Sequence, residues 1–340
     1  MSIISVPKIL IPKKNINLSK WACIACDQYT SEAEYWNELY NYVKSNVSTL
    51  HLILPEVFLE KDTTAQIESA NRHMLEYLQE DLFDLYEGMV LVERKTPYTD
   101  KRLGLVLSID LEEYSFSNLS SASIVASEMT VTERIPPRVK IRENAVLESP
   151  HILVLINDSS SRIIEKLYQE KEKYPVLYDF DLNMNGGHLK GYYIKDTEEI
   201  ISSFDRLEGN IKMVVGDGNH SLASAKVCWD NLKKTLTEEE QLSHPARYAL
   251  VEVISIYDEG LTFEPIHRVL FNVEPDFIPL LLNRMKGLSH SFVYEQNKKI
   301  LFNHSLNPFI AIKDIQSFLD EYLINHQKTR IDFVHGLDSL

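Results

Sequence analysis

The residues best suited to chemistry lie in the run Met213-Val-Val-Gly-Asp-Gly-Asn-His-Ser-Leu-Ala-Ser-Ala-Lys226, where β-branched residues give way to a helical stripe of Leu222, Ala225, Trp229 and Leu232. Gly216 and Gly218 let the backbone turn sharply, and Asp217 or Asn219 can cap the helix that follows. The first amides of such a helix face outward at the positive end of its dipole, so they can hold a phosphate oxygen. Asn219, His220 and Ser221 add side-chain donors there, and His220 counts among the catalytic candidates. A carboxylate at Asp217, beside that phosphate, could hold Mg²⁺. The run is neither a P-loop nor a Rossmann glycine fingerprint. Asp, Gly and Asn are also what any tight turn uses, so an ordinary strand-to-helix turn is the competing reading.

A second segment, Glu128-Met-Thr-Val-Thr-Glu-Arg-Ile-Pro-Pro-Arg-Val-Lys-Ile-Arg142, concentrates Arg134, Arg138, Lys140 and Arg142 in an otherwise acidic chain. Pro136 and Pro137 predict an extended conformation, in which Arg138, Lys140 and Arg142 project from one side as a phosphate clamp. A solvated edge strand with protective charges is the alternative. Asp27 follows an apolar run, where a general base or a turn residue could stand. His151, His188 and the pair His267-Arg268 each follow a Pro or Gly signal, and such histidines are more often structural than catalytic. Cys23 and Cys26 form a C-x-x-C pair, but the third cysteine, Cys228, has no nearby partner, which argues against a metal or redox centre.

The elements that must position these residues follow from periodicity and turn signals. Helices are expected over 31–44, 63–79 (stripe Ile67, Ala70, Met74, Leu75, Leu78), 162–171, 219–233, 277–285 and 315–324, and strands over 49–54, 86–93, 103–109, 151–156, 211–215 and 248–256. The strands 86–93 and 103–109 form a hairpin across the turn-rich 96–100, and the polar stretches 202–210 and 235–241 read as exposed connections. Hairpins mixed with strand-helix alternation define an α/β protein of α+β character with a mixed sheet.

Composition narrows the function classes. The 340 residues are 44% hydrophobic and 25% charged, the makeup of an ordinary globular protein of one large or two moderate domains. A formal charge of −15, from 35 basic against 50 acidic residues, repels nucleic acid and anionic membrane. No apolar run reaches the roughly 18–20 residues needed to span a bilayer, and the few cysteines suit a reducing compartment, so the cytoplasm is the expected location. A small-molecule substrate is the expected partner, and a homodimer is compatible with the chain.

Five blocks then resemble one large bacterial family defined as a domain of unknown function, number one thousand and fifteen: Ala25-Cys-Asp-Gln-Tyr29, Glu133-Arg-Ile-Pro-Pro-Arg138, Gly216-Asp-Gly-Asn-His-Ser221, Phe263-Glu-Pro-Ile-His-Arg268 and Ile331-Asp-Phe-Val-His-Gly336. The Asp-Gly-Asn-His motif is similar to the Asp-Gly-His-x-Arg helix start of ParB/sulfiredoxin-like proteins, which include nucleotide hydrolases, sulfiredoxin and kinases of free serine. That resemblance implies a ParB/sulfiredoxin-like core with large insertions, spanning 1–255 with an insertion at about 56–200, and a smaller α/β part at 256–340 packed closely on it. It also implies a nucleotide-dependent phosphotransferase using ATP or ADP with Mg²⁺, acting on a small-molecule hydroxyl such as that of serine. Residues 216–221 would bind phosphate and metal, with Arg134, Arg138, His267 and Arg268 neutralising charge, and Asp27 or else Glu128 would activate the hydroxyl. Ser221 and Leu222 stand near the Arg position of the related motif, which shifts charge neutralisation to Arg138 or Arg268. A nucleotide-binding regulator without transfer activity and a non-catalytic protein are the rival expectations.

Overall fold

In the computed structural model, the residues described are 2–24, 32–58, 63–117, 122–127, 130, 135–149, 152–261, 266–285, 290–295, 299–304 and 307–335. The chain divides into two compact units, Met1–Thr262 and Phe263–Leu340. The first opens with β1 (Ile4–Ser5), β2 (Lys8–Pro12) and the short α1 (Leu18–Trp21), then α2 (Ala33–Val43) and α3 (Thr64–Gln79). Next come β3 (Phe83–Glu87), β4 (Met89–Lys95), β5 (Arg102–Asp110), β6 (Tyr114–Ser115), β7 (Ile124–Ala126), α4 (Ile135–Arg142), β8 (Leu153–Ile156) and α5 (Ile164–Gln169). They are followed by β9 (Val176–Asp181), β10 (His188–Ile194), α6 (Glu198–Asp205), β11 (Met213–Asp217), α7 (Asn219–Leu232), α8 (Glu238–Ser243) and β12 (Tyr248–Ser255).

A mixed sheet of ten strands organises this unit, in the order β6-β7-β11-β8-β12-β5-β4-β10-β9, with β1 pairing β5. The expected hairpin is present as β4 and β5, antiparallel, with Val92 opposite Gly104. Both faces of the sheet are covered, which the alternation along β4 makes visible. Met89 and Leu91 join the main core with Trp229 and Phe204, whereas Val90 and Val92 pack with Ile9 on the other side. A sheet covered on both faces needs apolar side chains at successive positions, as β4 has.

Several local expectations are corrected. Residues 49–54 are not a strand: Thr49–His51 is a turn of 3-10 helix whose start is capped by Ser48, its Oγ accepting from Leu50 N at 3.2 Å. A short apolar run cannot be assigned from periodicity alone, and the serine bond decides it. Arg138, Lys140 and Arg142 are not extended but helical, in α4. Pro136 and Pro137 occupy its first turn, where the missing N–H has no intrahelical partner to lose, so the prolines begin a helix here. On α3 the buried face is Ala70, Met74 and Tyr77, while Leu75 and Leu78 are exposed. The 202–210 stretch is in part α6, with Phe204 fully buried, and 235–241 runs into α8, started by a reciprocal Thr237–Glu240 capping box.

The second unit contains β13 (Ile266–Phe271), α9 (Phe277–Arg284), β14 (His290–Glu295), β15 (Lys299–His304), α10 (Pro308–Asn325) and β16 (Arg330–His335). β13 pairs antiparallel with β16, and Met285, Phe318, Leu319 and Tyr322 form its core.

Candidate functional site

The two chemically suggestive segments leave the sheet side by side. β7 and β11 are parallel neighbours, with Val215 opposite Ala126. The next helices along the chain from these strands, α4 and α7, pack together. Loop 216–218 and the chain after Ser127 therefore start from adjacent carboxyl ends of parallel strands, the place where open α/β sheets form ligand crevices. On its other side β11 runs antiparallel to β8, and the register shifts between Val215 and Asp217, which places Gly216 in a bulge.

Gly218 is the N-cap of α7 in the left-handed conformation, φ 83°, with no side-chain cap, so neither Asp217 nor Asn219 fills the capping role expected. A Cβ there would stand 3.0 Å from Ile152 Cγ1 and 3.1 Å from Ile152 Cα, so glycine is required by backbone and space together. Asp217 Oδ1 instead accepts from Gly218 N at 2.6 Å. The ladder of α7 begins with Leu222 N donating to Gly218 O at 3.0 Å, so the amides of residues 219–221 precede its first bond.

Asn219 is the informative side chain. It is 5% exposed, its Nδ2 donates to Ser127 Oγ at 3.3 Å, and its Oδ1 is buried with no hydrogen-bond partner among the described residues. Leaving such an oxygen unpaired costs roughly 1–3 kcal/mol, which a ligand donor or cation would recover. His220 and Ser221 are half-buried beside it, and Gly216 is exposed. Ser127 and Thr130, whose Oγ1 is likewise buried without a partner, escaped the sequence reading. The only local signal for Ser127 is a hydroxyl closing the buried run Ile124-Val-Ala126.

The far end of α7 is anchored firmly. Trp229 Nε1 donates to Glu112 Oε1 at 2.5 Å and Lys233 Nζ to the same oxygen at 2.9 Å. Burial pushes the Glu112 carboxyl up, but the bonds from Lys233 and Trp229 outweigh it and hold the group below its usual range. With Leu222, Ala225 and Trp229 in the core, α7 is fixed along its length.

The basic residues of α4 are divided. Arg142 pairs with Glu148, whose other oxygen accepts from Leu250 N at 3.2 Å, so that guanidinium ties α4 to β12. Lys140 is exposed, and Arg138, one turn before Arg142, is half-buried. Asp27, Glu128 and Arg134 lie outside the described residues, as do Cys26 and His151. His267 and Arg268 belong to the second unit, on β13. Arg268 Nε donates to Gln316 Oε1 at 2.6 Å, and His267 Nε2 is buried without a partner. His188 is held by Asp179 and Asp181 at 2.8 Å each. Cys23 packs beside the Trp36 cluster, where burial pushes its thiol up. Among the described residues, one group, Glu274, Asp276 and His326, brings three metal-ligating side chains within 4.8 Å of one another, in the second unit. Two carboxylates or fewer suffice for Mg²⁺ when phosphates and waters complete its shell.

Residues 10–332 match the family described as a protein of unknown function, DUF1015, and the chain belongs to that family. No curated protein and no solved structure matches it. Among the described residues no helix is long and apolar enough to cross a membrane.

Proposed function

We propose that this protein is a nucleotide-dependent phosphotransferase built on a ParB/sulfiredoxin-like core, with nucleotide phosphates held at Gly216–Ser221 and a small-molecule hydroxyl as acceptor. The observation that carries the reading is Asn219: a 95%-buried amide with an unpartnered oxygen at the start of a 14-residue helix. Helix amides 219–221 and the dipole favour phosphate oxygens, and α4, which carries Arg138, packs against the same helix. Asp217 and the Asn219 oxygen supply the hard oxygen donors that Mg²⁺ takes. When bound, that ion would neutralise phosphoryl charge.

Phosphoryl transfer asks the protein mainly for positioning and charge neutralisation. Here α7, fixed at Glu112 and at Ser127, holds the 218–221 backbone still while charge develops on the transferred group. Removal of the acceptor proton is assigned to Asp27 or Glu128, on the resemblance to kinases of free serine. Titration of the protein calorimetrically with ATP, ADP and CTP in Mg²⁺ tests the site, and no binding of any of them removes it. Incubation with labelled nucleotide and a pool of amino acids should yield a phosphorylated small molecule. Loss of that product in Asp27→Asn but not Glu128→Gln identifies the base, and the converse assigns it to Glu128.

A further inference from the structure

A cleft between α2, the turns at 49–58 and α3 has no part in the phosphate site. It encloses about 360 Å³. Leu50, Phe58 and Ala70 give it apolar walls, and two imidazoles, His51 and His73, stack against each other with centroids 5.3 Å apart and planes inclined by 29°. No Lys, Arg, Asp or Glu lines it among the described residues, and the guanidinium of Arg72 donates to the Oγ of the lining Ser69 at 3.1 Å.

The hydrogen bonds around the two rings differ. Tyr77 Oη accepts from Ser48 N at 3.2 Å, so its own proton is directed to His51 Nδ1, 2.8 Å away. That ring is then a neutral tautomer with its proton on Nε2, facing the backbone of Lys44, and burial together with the neighbouring His73 lowers its pKa. His73 Nδ1 lies 2.8 Å from the Ser69 carbonyl, which can only accept, so the proton of the neutral ring sits on Nδ1. Its Nε2 keeps a lone pair with no partner among the described residues. The cleft thus offers a stacked aromatic wall, aliphatic surfaces, the polar groups of Tyr40, Gln66 and Ser69, and the acceptor His73 Nε2.

We infer that this cleft binds a small, uncharged, planar heteroaromatic molecule, one that packs against the His51–His73 stack and donates a ring N–H to His73 Nε2. An apolar cavity of about 150 Å³ accommodates benzene, so this one has room for two fused rings. With no charged side chain lining it among the described residues, the cleft selects by shape, stacking and hydrogen bonding.

Indole and benzofuran test this, because they share a shape and differ in the N–H. In calorimetric titrations of the full chain, indole should bind about tenfold more tightly than benzofuran, the worth of one hydrogen bond to a neutral acceptor. His73→Phe keeps a ring in the stack and should remove that preference while both ligands still bind. Ala70→Leu, which fills the cleft, should abolish binding of both in a protein whose circular dichroism is unchanged. Indole should also shift the imidazole proton resonances of His51 and His73. Equal affinity for the two ligands, no saturable binding of indole, or binding that survives Ala70→Leu in folded protein overturns the inference.

Discussion

Asn219 Nδ2 donates to Ser127 Oγ at 3.3 Å, so the start of α7 is tied to the end of β7 while the other end of the same amide, Oδ1, is buried without a partner. The two ends of this amide predict different outcomes. Asn219→Ala removes both the tether and the unpartnered oxygen and, on the proposed function, should weaken Mg²⁺-nucleotide binding by tenfold or more, in calorimetric titration. Ser127→Ala removes only a long tether and should cost less than about threefold. If Asn219→Ala binds nucleotide as the parent does, the phosphate reading of this loop fails.

Gly218 and Gly209 separate conformational strain from crowding. Both have left-handed φ, 83° and 85°, but a Cβ on Gly209 meets nothing closer than 3.5 Å, whereas one on Gly218 stands 3.0–3.1 Å from Ile152. Gly209→Ala should therefore lose only the backbone term, about 1–2 kcal/mol. Gly218→Ala adds an overpacking cost of roughly 1–3 kcal/mol, since Ile152 is itself 2% exposed and has little room to yield. Urea unfolding midpoints of the two variants measure the difference, and equal losses would show that Ile152 relaxes freely.

What was legible in the sequence and what was not divides along the range of the interactions. The strand and helix flanking Gly216–Ser221 were readable because Met213–Val215 and Leu222-Ala225-Trp229 carry their periods locally. The prolines of α4 misled because Pro at the start of a helix and Pro in an extended run look alike in isolation. Leu75 and Leu78 fit the helical stripe of α3, yet they are exposed, because neighbours absent from the local sequence decide which flank of a stripe is covered. The Asn219–Ser127 contact spans 92 positions and exists only because β7 and β11 pair in parallel. Likewise the His51–His73 stack depends on how α3 lies against the 49–51 turn. Structure within one strand-turn-helix could be read, and contacts assembled across the sheet could not.

Arg247 and Asp110 form a buried pair where β12 meets β5. The guanidinium donates from Nε at 2.9 Å and from Nη2 at 2.6 Å to the two carboxylate oxygens, with side-chain exposures of 9% and 2%. Arg247→Met strands the Asp110 charge and should cost about 3–5 kcal/mol in denaturant unfolding. Asp110→Asn in the same chain removes the charge but keeps an oxygen to accept from Glu112 N, as Asp110 Oδ1 now does at 2.9 Å. The double variant should accordingly regain at least half of the loss. A double variant no more stable than Arg247→Met would mean that lost packing, not the stranded charge, dominates.

His188 makes the β9–β10 edge sensitive to pH in a direction that its partners determine. Its bond to Asp181, with a second to Asp179, outweighs burial and raises its pKa above the ordinary value near 6.5. Asp179, held by Lys190 and then by His188, is lowered, so it stays charged below the usual carboxylate range. A group whose pKa is raised on folding contributes fully below its unfolded value, and the contribution fades as pH climbs through the folded value. The imidazolium is 39% exposed, which keeps the effect small, in the range of an exposed ion pair. His188→Gln should therefore lower the melting temperature by roughly 1–2 °C at pH 5.5 and leave it unchanged at pH 8.5, where the parent's own advantage has titrated away. Scanning the melting temperature of both proteins across that interval decides the matter: a gap that stays constant with pH would mean that His188 supports the edge by packing, not by its charge.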